Sequence, residues 1–339
     1  MKVYKLPEAR GIDSLTVADI ETPRPGRGQV LVRMRAASLN YRDLALVNGR
    51  YGRGPIRPGL VPLSDGAGEV VETGPDVTRL KPGERVAGIF MQSWLGGQLT
   101  PADRASVLGG GLDGVLAEYV VFDQHGLVRL PAHLSFAEGA CLPCAGVTAW
   151  NALYGGRPLI PGDTVLILGT GGVSIFALQF AKLAGAGAIV TSQSDAKLAR
   201  AKELGATHGI NYKIRPEWQE AVRELTDGNG VDHVVEVGGA GTLQRSIDSV
   251  RLGGSVHLIG VLTGAAELNP MGILAQGATV RGVFVGSREM FEAMNRAIAA
   301  HAMRPVIDRV FPFAEAKAAL RHLEAQAHLG KVVIAIAEG

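Results

Sequence analysis

The stretch that most constrains the fold is Thr164-Val165-Leu166-Ile167-Leu168-Gly169-Thr170-Gly171-Gly172-Val173-Ser174, which runs straight into a helix-like segment from Ile175 to Ala184. A continuous apolar run after the turn signal Pro161-Gly162-Asp163 predicts a strand covered on both faces, and the glycines behind it allow a helix to start at once. Such a helix opens with unpaired N–H groups and the positive end of its macrodipole, and glycines let a pyrophosphate reach the backbone. Gly169 and Gly171 fit the pattern G-x-G-x-x-G, whereas Ser174 stands where a third glycine would permit close helix packing. Apolar runs at 188–192, 208–212, 231–239 and 254–260 then alternate with helix-like runs at 195–204, 216–226 and 242–250. This alternation predicts an α/β fold with a doubly wound parallel sheet, and hence a dinucleotide site.

One such unit does not fill 339 residues, so a second domain is expected, and the 47% apolar fraction is enough for two cores. A net charge of +2, with no basic run interleaved with aromatics, argues against a nucleic-acid partner. The N-terminal stretch Met1 to Pro7 lacks the apolar core of a signal peptide, and no apolar segment is long and glycine-free enough to span a bilayer. A soluble, cytoplasmic protein with no membrane partner is expected. The two cysteines, Cys141 and Cys144, have the spacing of a redox pair or half a zinc site. A structural zinc would need a second pair, so both are read as buried small apolar residues.

Residues 1 to about 125 are rich in short β-type runs separated by Gly and Pro, the pattern of a small antiparallel barrel. Lys81-Pro82-Gly83-Glu84 supplies a turn, Asn40 to Tyr51 a short helix and then a loop, and residues 91–114 read as a flexible surface excursion. Ser135-Phe136-Ala137-Glu138 is a capping box that opens two helical pieces. A late helix from Ala314 to Ala325 and a strand from Lys331 to Ile336 suggest that the tail returns to complete the first domain. The expected division is 1–130 with 288–339 for one domain and 131–287 for the dinucleotide domain.

The order of these parts resembles the medium-chain dehydrogenase/reductase superfamily. The resemblance rests on Lys81-Pro82-Gly83-Glu84-Arg85-Val86, Gly146-Val147-Thr148-Ala149-Trp150, the Gly169–Val173 loop and Gly330-Lys331-Val332-Val333, and it covers the whole chain. Within it, Asn40-Tyr41-Arg42-Asp43 and Gly49-Arg50-Tyr51 are similar to the zinc-independent quinone oxidoreductase and enoyl reductase branch. That branch implies a Rossmann domain with a GroES-like β-barrel catalytic domain, NADPH and a homodimer. Zinc-binding members carry a cysteine in Cys-x-Thr/Ser-Asp, a Gly-His-Glu segment and a later cysteine. The matching positions here hold Asn40, Ser64 and Cys144, and an amide, a hydroxyl and one thiolate do not make a catalytic zinc site, so no zinc is expected.

An acidic residue about 20 residues after the glycine turn selects NAD by binding ribose hydroxyls and repelling a 2′-phosphate. That place is held by Ser192, with Gln193 and Ser194 beside it; Lys197 supplies charge or is a solvated helix residue, and Arg200 is a further cation. Tyr212 resembles a phosphate-contacting tyrosine of the branch, and Asp195 is expected to cap the next helix. NADPH is therefore preferred to NADH. Thr148, Gly169, Thr170, Gly171, Gly172, Val173, Val237, Leu258 and Ile259 should line the cofactor, with Phe284 and Val285 as apolar walls.

The resemblance implies hydride transfer to a small-molecule enone, enal or quinone, with donors steadying the charge that develops on oxygen. Tyr51 matches a tyrosine implicated in enoyl reductases, and Asn40 and Tyr41 would line the same place, although Tyr41 could equally pack its helix. An alcohol or aldehyde dehydrogenase and a weakly active NADPH-binding protein are the alternatives. Thr279 to Val285 reads as an edge strand for a second subunit or as an internal strand.

Overall fold

The computed structural model describes residues 1–336 apart from 53, 55, 261, 264 and 265. Its strands are β1 (Lys2–Lys5), β2 (Thr16–Asp19), β3 (Gln29–Ser38), β4 (Asp65–Thr73), β5 (Arg85–Gly88), β6 (Tyr119–Asp123), β7 (Leu127–Arg129), β8 (Thr164–Leu168), β9 (Gly187–Ser192), β10 (His208–Asn211), β11 (Val231–Glu236), β12 (Val250–Leu258), β13 (Thr279–Gly282), β14 (Ile307–Pro312) and β15 (Lys331–Ala335). The α-helices are α1 (Tyr41–Val47), α2 (Pro101–Ala105), α3 (Phe136–Ala140), α4 (Val147–Tyr154), α5 (Gly172–Leu183), α6 (Asp195–Leu204), α7 (Trp218–Leu225), α8 (Ala240–Ser249), α9 (Met271–Gln276), α10 (Arg288–Ala300) and α11 (Ala316–Glu324). None of the described helices is long and apolar enough to cross a membrane.

Two compact units form, Met1–Val147 with Gly286–Gly339, and Thr148–Val285. The expected breaks at 130/131 and 287/288 thus fall at 147/148 and 285/286. The capping box before α3 is present, but α3 packs on β3, β4, β5 and β15, so this helical stretch belongs with the barrel strands.

The second unit is a six-stranded parallel sheet in the order β10-β9-β8-β11-β12-β13, with β13 as an outer strand. Numbered within the unit this is 3-2-1-4-5-6, whose order reverses between β8 and β11, so the turns leaving those two strands open side by side. The inner strands β8 and β9 are largely apolar because helices cover the sheet: Trp218 and Val222 of α7 and Ile247 of α8 join Leu166, Ile189, Val234 and Val256 in one core. In α5, Phe176 and Phe180 stack at 6.0 Å, and Phe180 meets Trp150 of α4 edge-on at 5.4 Å.

In the first unit, a sheet in the order β14-β15-β3-β4-β5-β7 has β6 added to β3, and β1 pairs with β2. Every pairing of these strands is antiparallel except β14 with β15, and the tail strand β15 lies beside β3. Residues 91–114, read from sequence as a flexible excursion, form a packed segment instead. Thr100 and Asp103 cap α2 reciprocally, and Met91, Trp94, Val107 and Leu108 are buried. Their apolar side chains lie at irregular spacings among glycines, which leaves no periodicity to read.

The buried pair His233 on β11 and His257 on β12 is bonded at 3.0 Å, with Arg157 Nη1 and Asp163 Oδ2 at 2.7 and 3.3 Å from His233 Nε2. Burial, then the neighbouring charge of Arg157, depresses His233; burial, His233 and Arg281 push His257 down to about 3. The unfolded chain takes up a proton near pH 6.5 that folded His257 refuses, so this contribution to stability is complete above that pH and is lost as pH falls toward 3. His257→Gln, which keeps an acceptor, should flatten the decline by up to one proton, about 1.4 kcal/mol per pH unit. Urea unfolding between pH 7 and 5 checks this; parallel curves for the two proteins would remove His257 as the cause.

Candidate active site

The turn after β8 carries the features that an anionic cofactor needs. Gly169 has φ +72, a conformation that side chains disfavour. Gly171 is the N-cap of α5 with no side-chain cap bond, and a Cβ placed on it would meet nothing within 4 Å. The first-turn N–H groups of α5 therefore face open space, next to the switch point of the sheet. Ser174, which departs from the glycine pattern, is buried and donates its hydroxyl to Leu168 O at 2.7 Å, so its polar group is satisfied inside the unit. Thr170 and Thr148 are buried, and Gly172 and Val173 are half-buried in the first turn of α5. This uncapped, side-chain-free cradle fits a dinucleotide pyrophosphate.

At the carboxyl ends of β9 and β10, Ser192 Oγ accepts the Ser194 N–H at 3.2 Å and Ser192 O accepts the Tyr212 N–H at 3.1 Å. The N-cap of α6 is Ser194, which accepts the Lys197 N–H at 3.4 Å, and not Asp195 as expected. Asp195 lies in the first turn, where its carboxylate accepts from Asn211 Nδ2 at 2.7 Å, a partner that sequence spacing alone does not show. Ser192, Ser194, Lys197 and Tyr212 are thereby gathered, and burial raises the Tyr212 hydroxyl, which stays a neutral donor.

Further along the same edge, Val237 follows β11, while Leu258 ends β12 and Ile259 donates its N–H to Glu236 O at 2.9 Å. Val285 is buried with φ +55, a strained position for a β-branched residue. It is held by Asn151 Nδ2, which donates to Val285 O at 2.6 Å, and Asn151 Oδ1 in turn accepts from Arg281 Nη1 at 3.0 Å. Phe284 is 38% exposed. Sequence reasoning missed Asn151 and Glu236. The fully buried Glu236 carboxylate accepts the N–H groups of Gly238 and Gly239 at 2.7 and 3.0 Å, and so shapes the turn after β11. A carboxylate closing an otherwise apolar strand was its readable signal.

In the first unit, β3 and β15 deliver Asn40 and Lys331 to one polar cluster. Lys331, 2% exposed, donates to Leu39 O at 2.6 Å and to Asn40 Oδ1 at 2.7 Å. Because an ammonium only donates, the Asn40 amide is fixed with its oxygen toward Lys331. Asp43 accepts the Asn40 N–H at 2.8 Å and pairs with Arg42 at 3.1 Å. Arg42 also donates to Leu108 O at 3.2 Å and Gly109 O at 2.8 Å, and lies over the rings of Tyr51 at 4.5 Å and Phe90 at 5.2 Å. Burial raises Asp43 to about 6 against the pull of Arg42; burial also opposes the Arg42 charge, but Asp43 and Tyr51 outweigh it. Asn40 and Tyr51 thus share a cluster. Tyr41, 41% exposed, shares none of its bonds among the described residues.

The three positions compared with zinc ligands are engaged elsewhere. Asn40 Oδ1 faces an ammonium, Ser64 Oγ donates to Asp65 Oδ1 at 2.7 Å, and the Cys144 N–H donates to Asp65 Oδ2 at 3.0 Å. Burial pushes the Cys144 thiol well above its ordinary range, away from the thiolate that zinc binds. Among the described residues, no three His, Cys, Asp or Glu side chains are placed to hold a metal. This donor set does not fit a catalytic zinc.

A 3-2-1-4-5-6 parallel sheet with an open glycine cradle, carried with a separate GroES-like unit, defines a pyridine-nucleotide dehydrogenase or reductase. Residues 26–132 match the alcohol dehydrogenase GroES-like domain family and residues 172–300 the zinc-binding dehydrogenase family. The chain belongs to the medium-chain dehydrogenase/reductase superfamily and is an oxidoreductase. It is 47% identical over 339 residues, 97% of each chain, to a zinc-type alcohol dehydrogenase-like protein of Schizosaccharomyces pombe. Among solved structures, an NAD-dependent alcohol dehydrogenase is 32% identical with a TM-score of 0.90, over 99% of this chain and 100% of that one. The quinone oxidoreductase of Coxiella burnetii is 28% identical with a TM-score of 0.79, over 99% of each.

Gly171→Val should leave the fold intact, since its backbone is extended and the space is open, while weakening nucleotide binding at least about tenfold by filling the cradle. Calorimetric titration of the folded variant checks this, and unchanged affinity would remove the cradle from the cofactor site.

Proposed function

We propose that the chain is an NADPH-dependent reductase, independent of zinc, that adds hydride to an activated C=C of an enone or enal, or to a quinone. The observation that carries this reading is the cluster at the end of β3: an ammonium and a guanidinium, with Asn40 and Tyr51, stand among the positions where zinc enzymes of the superfamily hold their metal. The bound reduced nicotinamide would supply the hydride. The pyrophosphate would lie on the α5 cradle, and Ser192, Ser194, Lys197 and Tyr212 would hold the adenosine end with its 2′-phosphate, since the two serines offer neutral groups there and Lys197 lies in the first turn of α6 beside them. Negative charge develops on the substrate oxygen as hydride adds, and Tyr51 donates its hydroxyl proton there. Asn40 is oriented for the same task by Lys331. A small molecule as substrate, a homodimer formed through the outer strand β13 and a cytoplasmic location complete the proposal; sedimentation as a monomer would remove the dimer.

An alcohol or aldehyde dehydrogenase is the second reading, favoured by the names of the relatives. Following NADPH and NADH absorbance over enals, enones, quinones and alcohols, with metal analysis of the same sample, separates the two. Oxidation of NADPH by enones or quinones in metal-free protein is expected, whereas alcohol oxidation that tracks bound zinc would overturn the proposal. Tyr51→Phe should lower kcat about 100-fold with little change in KM; unchanged turnover would remove Tyr51 as the proton donor. Lys197→Ala should weaken NADPH more than NADH, and equal losses would count against the phosphate assignment.

A further inference from the structure

Arg42 is a largely buried cation of the first unit that is held at several points. Its side chain is 9% exposed, and its guanidinium is tied to the Asp43 carboxylate at 3.1 Å, Leu108 O at 3.2 Å and Gly109 O at 2.8 Å. One ring, Phe90, lies 5.2 Å away within the barrel, and the other, Tyr51, lies 4.5 Å away in the loop after α1. A cation needed only for packing could be replaced by an apolar side chain without the cost of desolvating a charge. Here the charge is kept, its geometry is fixed from three sides, and the tyrosine ring lies against it.

We propose that Arg42 is the positioning residue for Tyr51, holding its ring through the stacked guanidinium and steadying the phenolate that forms when the proton leaves. This rests on the reading of Tyr51 as proton donor. In the step, the Tyr51 O–H bond breaks and its proton passes to the substrate oxygen, which has received the electron pair freed by hydride addition. The nicotinamide is oxidised, the substrate is reduced, the O–H electron pair stays on the phenolate oxygen, and solvent water returns the proton. A cation against the ring face favours the anionic ring through its charge, and the fork bonded to Leu108 O and Gly109 O keeps that cation in register. The groups facing Arg42 from the surrounding elements are Asp43 on α1, Tyr51 in the following loop and Cys144 in the turn before α4. Of these, Asp43 is buried, whereas Tyr51 is half-buried in its loop and is the group read above as the proton donor.

The test is a double-mutant cycle on the full-length protein, read as kcat and KM with NADPH and an enone. Arg42→Gln should lower kcat about tenfold with KM for NADPH unchanged, and Arg42→Lys, which keeps the charge but loses the fork, should recover part of that loss. Combined with Tyr51→Phe, neither substitution should lower kcat further, because the group through which Arg42 acts is already gone. Multiplying losses in the double variant, or a rise in KM with kcat unchanged, would overturn the proposal while leaving Tyr51 as donor. If Arg42→Gln does not fold, as judged by circular dichroism, the cycle with Arg42→Lys decides alone. Full activity of Tyr51→Phe would remove both the donor and the role of Arg42.

Discussion

Burying charge without leaving it unpaired is the constraint on which the first unit turns. Arg42, Asp43, Asp65 and Lys331 are all nearly sealed from solvent, two of each sign, and removing one member of such a set typically costs about 3–5 kcal/mol because its partner is left behind. Their bonds tie together parts of the chain that are far apart in sequence. Lys331 joins the tail strand to the end of β3, Arg42 joins α1 to the segment at 108–109, and Asp65 joins β4 to the turn at Cys144. The barrel is thus closed at one end by electrostatics, while its interior is held by Val30, Val32, Met34, Val86 and Ile334. Lys331 is an exception in kind, because both of its acceptors are neutral oxygens. Its charge acts on the Asp43 carboxylate through space and not by contact.

The second unit obeys the same rule with the opposite outcome at one place. At the α8 end, the Glu236 carboxylate is itself the anion that the helix N-terminus attracts, and the backbone donors there are consumed. At the α5 end no side-chain cap bond is made among the described residues, and Ser174 is turned inward to Leu168 O. The difference between these two helix starts directs an anionic ligand to the glycine cradle. Two equivalent N-termini at the switch point would not make that choice.

The α/β sheet was legible because its signals are local and strong: apolar runs of strand length, glycines at their ends and helical periodicity between them. Gly169 and Gly171 could be read for the same reason, since their role depends on the absence of a side chain. Asp43 both caps the start of α1 and pairs with Arg42. Arg42, Asn151 and Glu236 were not picked out, because each acts through partners that only the tertiary fold brings near, such as Gly109 for Arg42 and Val285 for Asn151. Lys331 could not be told from a surface lysine, as nothing in Gly330-Lys331-Val332 shows that β15 lies between β14 and β3. The segment at 91–114 failed for a related reason, since its buried residues answer to the barrel and not to a helix or strand period.

A metal site often serves as a staple, so the survival of the fold around Asn40, Ser64 and Cys144 needs an explanation of its own. At two of these positions the backbone is held by bonds that use no side-chain atom of the residue itself. The Asn40 N–H is bonded to Asp43 and the Cys144 N–H to Asp65, both through backbone nitrogen. The side chains at these two positions are therefore free to change while the backbone stays in place. Once the scaffold no longer depends on a bound ion, the site can exchange a Lewis acid for an array of fixed donors without a new fold. That separation of scaffold from side chains lets the backbone of this fold persist whichever groups stand at these positions.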